Sequence, residues 1–279
     1  MIYVCSDIHG QYGMFKLMLE RIGFSENDHM YIIGDVIDRG PEPVPLLLDV
    51  MNRKNVTLMI GNHEHMMIQA LLYDNTDEYN DWMYNGGSVT CRQLRELGRV
   101  KTDILLRRLE KHPLVIPNLS VNGRTFYFAH SAHTLYPEKE TLLYRDAGEQ
   151  NRERVLWSRE FRHLRHGEGA RKQIGYQYRS LYEKYKGSTL IIGHSPVYRC
   201  SYGIVTGRGF CRISRAFSGH LINLDCGCAL GATLGVFKHQ VLIHLDAIAP
   251  LQANLAGKGT GNLLEEAVDR ADVEGGVVV

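Results

Sequence analysis

The chain has 279 residues, 44% of them hydrophobic and 23% charged, the profile of a soluble globular protein with enough apolar material for one large α/β domain. A formal net charge of +1 gives no bias toward nucleic acid or an anionic membrane surface. Six cysteines are spread along the chain without forming a compact disulfide framework, and Cys226-Gly-Cys228 reads as packing near a turn. No basic segment followed by an apolar one opens the sequence, and no apolar run is long enough to span a bilayer. A cytoplasmic protein with no membrane partner is therefore expected.

Ile2 to Cys5 reads as a short apolar strand that stops at Asp7. Met14, Leu17, Met18 and Ile22 follow at helical spacing and close near Gly23. His29 to Ile33 is a second strand, ending at Gly34-Asp35. After Pro41 and Pro43, Val44 to Met51 reads as a helix. Val56 to Ile60 is a third strand, stopping at Gly61-Asn62, and a helix runs on through Met66, Met67, Ala70 and Leu71. Repetition of strand, polar loop and helix predicts an α/β core with ligand groups collected at the carboxyl ends of strands.

Residues 74–112 are polar and mostly helical, with Asn85-Gly86-Gly87-Ser88 placed to break or cap a helix. Leu114 to Leu119 and Thr125 to Phe128 flank Asn122-Gly123, a hairpin signal, and the second of them runs into His130. A long polar middle over 138–187 holds Trp157, and much of 170–186 reads as a tyrosine-rich helix. Thr189 to Ile192 is another strand, ending at Gly193-His194. Short strands are expected over 203–206, 210–213, 220–225 and 241–246, with Gly227, Gly231 and Gly235 at tight turns or close backbone contacts. The tail from Gly257 reads as a loosely attached extension, with a short helix over 263–268.

The polar strand ends share one chemistry. Asp7 and His9 provide a carboxylate and an imidazole one residue apart, and Asp35 has two oxygens with which to bridge two cations. Asn62 adds an amide oxygen, while His130 and His194 add two more imidazoles. The expected division is Asp7, His9 and Asp35 on one metal, and Asp35, Asn62, His130 and His194 on a second. That donor set suits manganese, iron or zinc. Any one of these residues alone is more often structural; the set and its strand-end placement carry the reading. Chemistry alone leaves His63 and His65 competing as proton donor, and Glu64 as a base.

Asp7-Ile-His9-Gly, Gly-Asp35-Val-Ile-Asp38-Arg39-Gly and Gly-Asn62-His63-Glu64 resemble the three signature motifs of the calcineurin-like metallophosphoesterase superfamily. Asp38-Arg39-Gly and Asn62-His63-Glu64 resemble its phosphoprotein phosphatase branch, and Trp157-Ser158-Arg159 resembles the arginine motif of bacterial and bacteriophage members. The resemblance implies a four-layer α/β/β/α sandwich with two central mixed sheets flanked by helices. It implies one catalytic domain over residues 1–256, with a helical insert or cap around 138–187 and an extension over 257–279. Two divalent or transition-metal ions are implied, manganese in vitro, with iron or zinc as alternatives. His63 is then the general acid oriented by Asp38, and Arg39 and Arg159 hold the phosphate. The implied function is hydrolysis of phosphomonoesters by direct attack of metal-bound hydroxide, with a phosphorylated serine/threonine protein or peptide as substrate. A symmetrical dinucleoside tetraphosphate hydrolase acting on a small phosphorylated nucleotide, and a metal-dependent phosphodiesterase, are the alternatives. A catalytically inactive sensor would ordinarily have lost a ligand, His63 or an arginine, and nothing favours a nucleic-acid partner.

Overall fold

The structure, a computed structural model, describes residues 1–131, 138–159, 183–185, 187–199, 214–216, 221–230, 234–238, 241–245 and 276–278. The strands expected over 203–206 and 210–213, most of the helix expected over 170–186 and the helix expected over 263–268 lie outside the described residues.

The chain opens with β1 (Ile2–Cys5), α1 (Tyr12–Arg21), β2 (His29–Ile33), α2 (Pro43–Asn52), β3 (Val56–Met59) and α3 (Asn62–Leu72). Four further helices are α4 (Thr76–Tyr84), α5 (Ser88–Leu97), α6 (Arg99–Leu109) and α7 (Glu149–Trp157). The later strands are β4 (Pro113–Val121), β5 (Arg124–Ala129), β6 (Leu142–Leu143), β7 (Thr189–Ile192), β8 (Ser214–Ala216), β9 (Leu221–Asn223), β10 (Leu234–Lys238), β11 (Val241–Leu245) and β12 (Gly276–Val278). Local chemistry fixes several of the boundaries. Proline at the start of α2 needs no amide donor there. The Asn75 side chain accepts the amides of Asp77 and Glu78 and so caps α4. Asn122 and Gly123 both take positive φ, 46° and 75°, as a two-residue hairpin between β4 and β5 requires.

Two mixed six-stranded sheets result, in the orders β12-β11-β10-β1-β2-β3 and β6-β4-β5-β7-β9-β8. β1, β2 and β3 are mutually parallel, as are β5, β7 and β9. Strand alternation builds the layers. Val4, Ile33 and Met59 of one sheet meet Phe126, Phe128, Ile191 and Ile222 of the other. Their neighbours Tyr3, Cys5, Met30, Ile32 and Leu58 pack with Phe15, Met18, Leu46 and Leu47 of the helices. Tyr127, Ala129, Leu190 and Ile192 join Val155 and Leu156 of α7 in the same way. Two helix-flanked sheets packed face to face are the expected architecture. Of the two roles expected for Gly235, the turn is not the one it takes: it lies inside β10, paired antiparallel to β11 beside β1. Among the described residues no helix is long and apolar enough to cross a membrane.

One buried side chain ties the loops after β2 and β3 together. The Glu64 carboxylate accepts the amides of Asp35 (2.8 Å), Val36 (2.8 Å), Ile37 (3.3 Å) and Gly61 (2.9 Å). It is fully buried, so losing an acceptor oxygen leaves amides unsatisfied without water to replace it. Burial, followed by the Asp35 carboxylate, raises its pKa, and the amides of Asp35 and Gly61 oppose that shift. Glu64→Gln presents an NH2 group to these donors and is expected to destabilise the fold by about 2–3 kcal/mol. Urea unfolding checks this: the midpoint should fall with the slope unchanged, and an unchanged midpoint would contradict the clamp.

Candidate metal centre

Six loops converge where the parallel strands of both sheets end. Asp7 and His9 follow β1, Asp35 to Arg39 follow β2, and Asn62 and His63 begin α3 just after β3. His130, His194 and Asp225 follow β5, β7 and β9. The first of these loops are laced by backbone bonds from Asp7 to Gly34 (3.1 Å), from His9 to Asp35 (2.9 Å) and from Gly10 to Val36 (2.7 Å). The geometry demands unusual backbone. Asp7, His9, Asp35, Asp38, Arg39 and His194 all have positive φ, between 49° and 70°. For non-glycine residues this region is sparsely populated and collects at functional sites. Asp7 and His9 therefore reach the cleft from a left-handed loop beyond the end of β1.

Gly34 and Gly61 provide the room. A Cβ on Gly61 would overlap the Asp35 carboxylate, and one on Gly34 would lie 2.8 Å from Nδ1 of His130. Ligand-type atoms then gather in two triads that share Asp35. His9, Asp35 and His63 form one, and Asp35, His130 and His194 the other, with the ligand atoms of each within 4.8 Å of one another. Asn62 Oδ1 sits at the second, accepting from Nε2 of His130 and Nδ1 of His194, both at 2.9 Å. Asp7 lies outside both triads. Its carboxylate accepts the Ser6 hydroxyl and the His194 amide, the latter at 3.1 Å. The triad at His9 thus contains His63 where the sequence grouping has Asp7.

Backbone carbonyls orient two of the imidazoles. His9 Nδ1 donates to Ile37 O (3.0 Å) and His130 Nδ1 to Ile33 O (2.8 Å), which turns both Nε2 atoms toward Asp35. All these groups are buried, so they act on one another strongly. Burial opposes ionisation of Asp35, but the imidazoles of His130, His63 and His9 hold its carboxyl well below the usual range. Burial likewise opposes charging of His130, yet Asp35 and Asp7 raise it to about 10. Burial, then the Asp225 carboxylate, pushes Asp7 well above its ordinary value, and burial raises Asp225 to about 6. Burial and neighbouring cationic groups push His9 and His194 down. Nε2 of His194 is buried with no hydrogen-bond partner among the described residues. Three buried carboxylates and an orphaned imidazole nitrogen form a donor set that fits hard or borderline divalent cations.

Beside the triads, Nδ1 of His63 is 2.6 Å from Asp38 Oδ2. The Arg39 guanidinium donates to Nε2 of His9 (2.7 Å) and to Nε2 of His63 (2.9 Å). Guanidinium nitrogens only donate, so Nε2 of His63 accepts and its Nδ1 carries the proton toward Asp38. Of the other candidates, His65 Nδ1 faces the Tyr144 hydroxyl at 2.8 Å, and the Glu64 carboxylate accepts backbone amides. Arg159 is exposed and close enough to His194 to lower its pKa. The end of α7 brings it there. Ser131, next to His130, donates to Val155 O and accepts from the Ser158 amide, and Trp157 meets the His194 ring edge to face at 5.9 Å. Asp225, Trp82 and Thr90 escaped the sequence reading of the site. Asp225 had a readable signal, since it follows a short strand as Asp7 and Asp35 do.

Comparison with known proteins places the chain in a family. The family model described as calcineurin-like phosphoesterase matches residues 1–198. Serine/threonine-protein phosphatase 2 of Escherichia coli K12 is 30% identical over 157 residues, 56% of this chain and 66% of that protein. The symmetrical bis(5'-nucleosyl)-tetraphosphatase of Buchnera aphidicola is 29% identical over 127 residues, 43% of this chain and 46% of that protein. The matches thus span less than two thirds of each relative's length. A protein serine/threonine phosphatase from Saccharomyces cerevisiae superposes with a TM-score of 0.53 at 16% identity, covering 84% of this chain and 71% of that one. With a matched segment that contains every loop of the centre except that of Asp225, the chain belongs to the calcineurin-like phosphoesterase family.

Proposed function

We propose that the chain hydrolyses phosphomonoesters, with phosphorylated serine or threonine of a protein or peptide as the substrate class. The observation that carries this reading is the Asp38–His63 pair at 2.6 Å, with the His63 ring aimed at the Arg39 guanidinium. It places a positioned proton carrier next to an anion-binding fork. The family is dinuclear-metal dependent, and His9, Asp35, Asn62, His130 and His194, with Asp7 beside them, would hold two cations. When bound, such ions supply a nucleophilic water near neutral pH and neutralise charge on the phosphoryl oxygens. Manganese is the ion we would supply in vitro, with iron or zinc equally suited to these donors.

The side chains supply the remaining steps. A phosphoryl oxygen is a stronger acceptor than a neutral imidazole nitrogen, so substrate draws the Arg39 fork away from His9 and His63. That exchange frees Nε2 of His63 to face the leaving oxygen. The freed Nε2, which carries no proton while it accepts from Arg39, takes one up from solvent. The resulting imidazolium is stabilised by Asp38 at Nδ1 and gives the Nε2 proton to the departing alkoxide. Arg159 contributes a second guanidinium at the rim beside His194.

His63→Asn is expected to lower turnover of an alkyl phosphomonoester by about 10²–10⁴-fold with bound metal unchanged. Turnover and elemental analysis on one preparation check this, and unchanged turnover removes His63 from the role. Chelation should lower Tm, and adding back Mn2+ should restore it in the parent chain but much less in His130→Ala. An equal recovery in both would remove His130 from the ligand set. A panel of phosphopeptides, dinucleoside tetraphosphate and a simple phosphodiester sets the substrate class. Phosphopeptide turnover should dominate, and preference for the dinucleotide would replace the protein substrate with a nucleotide.

A further inference from the structure

Asp38 is fully buried and is held mainly by a part of the chain that carries no metal ligand. Trp82 of α4 donates its indole N–H to both carboxylate oxygens, at 3.1 Å to Oδ1 and 2.9 Å to Oδ2. Thr90 of α5 donates its hydroxyl to Oδ1 at 2.5 Å and accepts the Asp38 amide at 3.1 Å. Both side chains are themselves fully buried, so no water substitutes for either donor. The turn between the two helices grips the next residue. Gly86 O accepts the Arg39 amide (3.2 Å), and Asn85 O accepts Arg39 Nε (3.3 Å). Gln93 of α5 then bonds the Val44 amide and Pro41 O. A Cβ on Gly87 would lie 2.5 Å from the indole nitrogen, so the glycine is what lets Trp82 reach Asp38.

We propose that Trp82 and Thr90 are positioning residues for leaving-group protonation, acting through Asp38 on the ring of His63. This rests on the reading of His63 as proton donor. With Thr90 on Oδ1 and the indole across both oxygens, the carboxylate cannot rotate, and Oδ2 stays 2.6 Å from Nδ1 of His63. Without the hydroxyl, Oδ1 keeps a single long bond and the pair loses its alignment. Small misplacements of a proton donor are costly because the transfer needs a near-attack geometry.

Loss of the proton donor matters most when the leaving group is basic. An alkoxide needs its proton as the ester bond breaks, whereas p-nitrophenolate leaves without one. A merely structural weakening lowers turnover of both esters alike. The test is therefore kcat and KM of the Mn2+-loaded full chain on a phosphoserine peptide and on p-nitrophenyl phosphate. Thr90→Val is expected to lower kcat on the phosphoserine peptide about tenfold and on p-nitrophenyl phosphate by less than about threefold, with KM little changed. Thr90→Ser should restore the lost turnover, and Trp82→Phe should reproduce the selective loss if Thr90→Val folds poorly. His63→Asn, run in parallel, should show the same selectivity more strongly. Selective loss by His63→Asn with equal or no loss in both Thr90→Val and Trp82→Phe overturns the inference alone. Equal loss on both esters by His63→Asn overturns the proton-donor reading, and the inference with it.

Discussion

A buried carboxylate that binds backbone instead of substrate holds this centre in shape. Left-handed backbone at Asp35, Asp38 and Arg39 is unfavourable for the isolated loop. Glu64 offsets that cost by gathering the amides of Asp35, Val36, Ile37 and Gly61 onto two oxygens. Because Glu64 sits in the first turn of α3, the same contact sets the helix that carries Asn62 and His63. Relative placement of the second and third motif segments thus depends on one side chain, and the position of Asp35 in both triads depends on that placement.

From this frame the electrostatics follow. Carboxylates and imidazoles that water would otherwise separate are packed within a few ångströms in a dry cleft. Imidazole neighbours lower the pKa of Asp35 and carboxylate neighbours raise that of His130 against burial, whereas burial raises the pKa of Asp7 and Asp225. Neighbouring acids driven in opposite directions show a site with more negative charge than its side chains balance. Cations placed between the triads would resolve the conflict, and the ring protons of histidine would give way to them. Arg39, bonded to two imidazoles, places a guanidinium in the same cleft.

Much of this was legible in the sequence for a specific reason. Asp7, Asp35, Asn62, His130 and His194 each follow a short run of buried apolar residues, so strand periodicity alone delivered them to one end of two sheets. The helix break at Asn85-Gly86-Gly87 was readable as well. Less accessible was what that break does. Trp82 and Thr90 reach Asp38 across 44 and 52 residues, and a tryptophan in a helix gives no sign whether its indole nitrogen meets water or a carboxylate. The left-handed φ at both Asp7 and His9, which sets how the two side chains enter the cleft, was also hidden. Periodicity locates residues, whereas backbone strain decides which way they point.

Two cations sharing the carboxylate of Asp35 remain the central claim. Anomalous diffraction from crystals of the Mn2+-loaded protein tests it most directly. Two peaks about 3.5–4 Å apart, one on each side of Asp35, are predicted. A single peak, or two peaks that do not share Asp35, would contradict the account.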